Sequence, residues 1–76
     1  MPKLPVLSGK EMIHLLEKDG FRILDQHGSH VILVKEISGR RLKPVVPLHR
    51  ELRIGTLLSI LKQAEVSRET FFQLLA

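Results

Sequence analysis

Residues 21–26 (F-R-I-L-D-Q) and 30–36 (H-V-I-L-V-K-E) are two short apolar, β-branched runs with only His27-Gly28-Ser29 between them. Three residues are too few for a crossover, so the two runs must pair antiparallel as a hairpin. Gly28 supplies the positive φ that such a turn needs. Ser38-Gly39-Arg40 turns the chain again, and residues 41–48 form a third strand. Pro44 and Pro47 cannot donate to a ladder, which places that strand at a sheet edge.

Helices flank this meander. Ser8 and Glu11 form a capping box, with Met12, Ile13, Leu15 and Leu16 at helical spacing behind it and Gly20 as a left-handed stop. The first helix therefore spans about residues 9–19. Ile54, Leu57, Leu58 and Leu61 recur at i, i+3, i+4 and i+7, with Ala64 continuing the stripe of a second helix. Ile60 lies off that stripe, free for another element or a partner. Ser67 caps a short last helix carrying Phe71, Phe72, Leu74 and Leu75.

The expected architecture is α+β, in the order α-β-β-β-α with a short C-terminal helix. The helices lie on one face of a three-stranded antiparallel sheet and leave the other face open. In the third strand Leu42, Pro44, Val46 and Leu48 point inward, and Lys43, Val45, Pro47 and His49 outward. In the second strand Val31 and Leu33 point inward. His30 then lies on the open face beside exposed Ile32 and Val34, an apolar pair suited to a partner contact.

The chain has 76 residues, which is the size of one domain, residues 1–76, with a modest core. It has no cysteine, so neither a disulfide nor a thiolate metal site is available. No apolar run approaches the roughly 18 residues of a membrane span, and the opening M-P-K-L-P-V-L-S lacks a signal peptide's apolar core. A cytoplasmic protein is expected. Net charge is +4 and the isoelectric point about 10.0. Lys35, Arg40, Arg41, Lys43, Arg50 and Arg53 face only Glu36 and Glu51 over the same stretch, which favours a polyanionic or acidic partner over a merely solvated face.

Four pieces of the chain, L-S-G-K-E-M-I at 7–13, D-G-F-R at 19–22, G-S-H at 28–30 and V-P-L-H…G-T-L-L-S-I-L-K-Q-A at 46–64, together resemble the HicA family of toxins from bacterial toxin–antitoxin pairs. G-S-H alone is unspecific; the ordered set, covering nearly the whole chain, is not. The resemblance implies a fold similar to a double-stranded-RNA-binding domain and ribonuclease activity on messenger RNA. It also implies a HicB-like antitoxin as partner, and a catalytic histidine at position 30. Many relatives carry a second histidine directly after the first, whereas position 31 here is Val.

The chemistry fits a histidine. Cleaving RNA through its own 2′-OH needs a group that takes or gives a proton near neutral pH, and imidazole does so. His30 is thus the candidate general acid/base, with Ser29 and His49 as possible auxiliaries. Lys35, Arg40, Arg41, Lys43 and Arg50 are the candidate RNA contacts. His27 reads as a loop residue and His14 as partly packed on its helix. Phe21, Phe71 and Phe72 are the only aromatics and fall at core positions, so no platform is left to stack single-stranded bases. A zinc site needs three or four protein ligands, and His27 and His30 have no third; no metal and no small-molecule cofactor is expected. Ser29 and His30, adjacent in an extended stretch, point to opposite faces and cannot form a hydrolase triad with Asp25. The rival reading is a non-catalytic RNA- or protein-binding module on the same fold.

Overall fold

A computed structural model describes residues 3–76; the first two residues, part of the opening stretch discussed above, lie outside the described residues. Helix α1 (Gly9–Lys18) is followed by strands β1 (Arg22–His27), β2 (His30–Ile37), β3 (Arg40–Leu42) and β4 (Val45–Pro47), then by helices α2 (Ile54–Gln63) and α3 (Arg68–Leu75). This is the expected α+β order, with the third strand in two pieces.

The capping box closes α1 as anticipated: the Ser8 N–H donates to Glu11 Oε1 at 2.9 Å and the Glu11 N–H to Ser8 Oγ at 3.1 Å. The Ser67 side chain accepts from the Thr70 N–H and caps α3 in the same way. Strand β2 is central. It pairs antiparallel with β1 on one side and with both β3 and β4 on the other. Lys43 and Pro44 interrupt the third strand, because proline has no N–H to give. Its carbonyl still accepts from the Leu33 N–H at 3.0 Å, so the ladder runs across the break. At the outer edge the Val45 N–H donates to the Gln63 side chain at 3.0 Å, which covers a donor that an edge strand would otherwise expose.

The turn into β2 is one residue shorter than expected. His27 closes β1, and only Gly28 and Ser29 form the loop. Gly28, at φ +59°, takes the first central position, the pattern of a type II′ turn. The turn between β2 and β3 places Ser38 at φ +48° and Gly39 at φ +77°, both positive as in type I′.

One apolar cluster fills the space between the sheet and the helices. Met12 and Leu16 of α1, Leu57, Ile60 and Leu61 of α2, and Phe71 of α3 meet Val31, Leu33, Leu42 and Val46 of the sheet. Each such side chain withdrawn from water contributes about 1.5–3 kcal/mol. No polar or charged side chain is buried among the described residues.

Three burial assignments change. The buried stripe of α2 is Leu57, Ile60, Leu61 and Ala64, whereas Ile54 is 61% exposed in the first turn. The period is the expected one, but it starts three residues later, so Ile60 belongs to the core. Pro47 shares the outward face with His30 yet is buried, because the start of α1 comes over the end of β4: the Gly9 N–H donates to the His49 carbonyl at 2.9 Å. A Cβ on Gly9 would stand 2.1 Å from the Pro47 carbonyl oxygen, so only glycine permits this approach. Val34 is fully buried although it faces away from the main cluster. Arg22 lies directly across from it, and Glu36 follows on the same face, the two charged groups standing 4.0 Å apart. Only Ile32 of the expected apolar pair is left, half-buried, on the open face.

Candidate functional site

Strand pairing decides which side chains share the open face, since residues opposite one another point the same way. With Val31 and Leu33 in the core, His30, Ile32, Val34 and Glu36 of β2 face away from the helices. Across β1 they are joined by His27, Asp25 and Arg22, opposite His30, Ile32 and Val34 respectively. An irregularity at Leu24 keeps Asp25 and Arg22 both on this face. On the other side Pro47 lies opposite His30, Val45 opposite Ile32, and Arg41 opposite Glu36.

His30 is therefore the first residue of the central strand, exposed, between His27 and Pro47. The hairpin tip that carries it is braced. The Leu48 N–H donates to the Ser29 carbonyl at 2.7 Å, and the Gln26 side-chain amide donates to the Gly28 carbonyl at 3.0 Å. Asp25 accepts the Gln26 N–H at 2.7 Å through Oδ1, while its Oδ2 stands 3.1 Å from His27 Nε2.

The other expected site residues separate into three groups. Arg41 and Lys43 are exposed, Arg41 on the same face as His30 and Lys43 next to it at the break in the third strand. His49 and Arg50 are exposed just past the end of β4, bordering a shallow groove with Ser8, Lys10 and Leu48 beside the start of α1. No hydrogen bond joins His49 to His30 among the described residues. Lys35 and Arg40 are held by carboxylates on the helix side of the sheet. Lys35 Nζ is 3.2 Å from Asp19 Oδ2 and lies over the Phe21 ring at 5.4 Å. Arg40 makes a two-point contact with Glu65, at 2.6 and 2.7 Å. Those hydrogen bonds hold the Glu65 carboxyl below its usual range and keep Arg40 charged.

Two members of the open face, Arg22 and His27, were not singled out from the sequence. The signal for His27 was turn length. With a two-residue loop, the flanking residues 27 and 30 are partners, while a three-residue loop hides His27 in the turn. Among the described residues no three His, Asp or Glu side chains gather as metal ligands, and no helix is long and apolar enough to cross a membrane.

A family model described as "HicA toxin of bacterial toxin-antitoxin" matches residues 9–66, from the first residue of α1 through the sheet and α2. No curated protein matches the chain. No solved structure matches it either.

Proposed function

The chain belongs to the HicA toxin family, and on that premise we propose that it is a metal-independent endoribonuclease that cuts messenger RNA, with His30 as the general acid/base. As a member of this family it is the toxin of a toxin–antitoxin system. The observation that carries the enzymatic reading is the placement of His30: exposed at the head of the central strand, on the face the helices leave bare, with Arg41 on that face and Lys43 beside it.

The chemistry follows from the substrate. The 2′-OH gives up its proton to a base, its oxygen attacks the adjacent phosphorus, and the bond from phosphorus to the 5′ oxygen breaks. That oxygen leaves with a proton, giving a 2′,3′-cyclic phosphate and a 5′-OH. Imidazole can take the first proton at cellular pH, and a positioned acid/base of this kind contributes about 10²–10⁴-fold. Arg41 and Lys43, further along the same sheet from His30, supply positive charge for the backbone of the bound RNA. The Ser29 backbone fixes the turn that presents His30, and Arg50 and His49 extend the basic surface around the start of α1. Lys35 and Arg40 serve the fold first, through Asp19 and Glu65. A HicB-like antitoxin would silence the enzyme by covering the open face, and the cytoplasm, where messenger RNA is met, is the place of action.

The test is induced expression of the wild-type chain and of H30A at matched protein levels, followed by cleavage of purified RNA. Growth arrest and RNA decay with the wild type, and neither with a folded H30A, support the reading. Cleavage should persist in chelator and fail on a substrate with 2′-deoxy at the cut. Cleavage of DNA, or toxicity unchanged in H30A, rejects it in favour of a binding module.

A further inference from the structure

We infer that His27 is the second proton carrier of this site: it protonates the leaving 5′ oxygen while His30 takes the proton of the 2′-OH, and Asp25 is its positioning residue. The inference rests on the ribonuclease reading above and deepens it. His27 and His30 are direct cross-strand partners across the Gly28-Ser29 turn. Side chains so placed share a face, with Cβ atoms about 4.5–5.5 Å apart. Both are exposed, so one phosphodiester can lie between the two rings. The neighbour in sequence cannot play this part, because Val31 points to the opposite side and is 3% exposed.

The reaction asks for two groups. At its start one must be free of its proton and the other must carry one, and the entering and leaving oxygens lie on opposite sides of phosphorus. His27 is suited to the donor role because its protonated form has a counter-ion: Nε2 stands 3.1 Å from Asp25 Oδ2. Asp25 is itself held by the Gln26 N–H, at 2.7 Å. His30 has no carboxylate within ion-pair distance among the described residues. In the balanced step the 2′-OH proton passes to the His30 imidazole, the 2′ oxygen bonds to phosphorus, the bond to the 5′ oxygen breaks, and the His27 imidazolium gives that oxygen its proton. Among the strand residues paired at this end of the face, Asp25, His27 and His30 titrate, and across from them β4 offers Val45 and Pro47, which do not; past the end of β4, Lys10 and His49 stand beside the start of α1, whose backbone meets this end.

The experiment follows cleavage by the full chain against pH, for wild type, H27A, H27N, D25N and H30A, with circular dichroism to establish folding. Two substrates are used: a short oligoribonucleotide, and a uridine 3′-phosphate ester whose leaving group is p-nitrophenolate, which departs without a proton. For the oligonucleotide the wild type should show a bell-shaped profile. H27A and H27N should lose about 10²-fold or more in kcat, with little change in KM, and lose the alkaline limb. The nitrophenyl ester should be cleaved by H27A at close to the wild-type rate and not by H30A. D25N should lose less than H27A. H27A and H27N within twofold of wild type with the bell intact, beside an inert H30A, overturn this inference alone. A wild type that leaves RNA whole, or an H30A variant as active as wild type, overturns the ribonuclease reading and this inference with it.

Discussion

Arg40 and Glu65 lie 25 residues apart in the chain and meet through two hydrogen bonds, Nη1 to Oε2 at 2.6 Å and Nη2 to Oε1 at 2.7 Å. The contact ties the first residue of β3 to the link between α2 and α3, where Glu65 adopts φ +53°. It also lowers the Glu65 pKa below its ordinary 4.5, chiefly through the hydrogen bond from Arg40. A carboxyl depressed in the folded state adds stability above its unfolded pKa, and that stability is lost as the pH falls through the folded value. E65Q should therefore melt slightly below wild type at pH 7. The gap should close as the pH falls below 4.5. Thermal melts of both chains across that range check it, and added salt should narrow the difference at neutral pH.

The two isoleucines of α2 should behave as opposites. Ile60 is 1% exposed and Ile54 61%. I60A removes packed core atoms and should cost about 2–5 kcal/mol in urea denaturation, a large share of what a chain this small possesses. I54A should stay within about 0.5 kcal/mol of wild type.

Two glycines should also diverge. A Cβ at Gly9 meets the Pro47 carbonyl oxygen, which is backbone and cannot swing aside, whereas one at Gly55 meets nothing within 4 Å. G9A should destabilise by about 1–3 kcal/mol or more as α1 is pushed off β4. G55A, on an open helical position, should be neutral or stabilising by up to about 1 kcal/mol. Paired denaturation curves decide it.

Charge reversal should separate RNA contacts from fold contacts. R41E and K43E should weaken RNA affinity across sequences and flatten its dependence on salt, with melting unchanged. K35M should do the reverse. Lys35 is largely covered, at 22% side-chain exposure, by its contacts with Asp19 and Phe21. Its loss should lower stability by about 1 kcal/mol and leave the salt dependence intact. Filter binding at several salt concentrations, beside melts, tests both halves.

Much of this was legible in the sequence because local chemistry decides it. The Ser8–Glu11 box set the start of α1, Gly28 and Gly39 set the turns, and the two prolines put the third strand at an edge. What escaped was decided by contacts distant in the chain. Pro47 reads as outward by alternation and is buried because Gly9 lets α1 approach it. Ile54 heads an apolar stripe that the core takes up only from Leu57 onward. Lys35 and Arg40 belong to a basic run, yet Asp19 and Glu65, each remote in sequence, draw them to the helix side. At the candidate site, the outward placement of His30 was legible from strand alternation, with Val31 and Leu33 inward. Its pairing with His27 was not, since it depends on a turn of two residues where three were read.

That turn length also sets which kinds of genetic change this chain can absorb. The His27–His30 pairing is a matter of counting, and side chains change sides with every residue along a strand. Exchanging Ser29 for another small residue leaves the count alone. Inserting or deleting one residue at the tip keeps every functional group in the chain, yet turns one histidine away from the other or forces a bulge to restore the register. In a lineage of such sequences, the hairpin tip should therefore vary in letters and not in length.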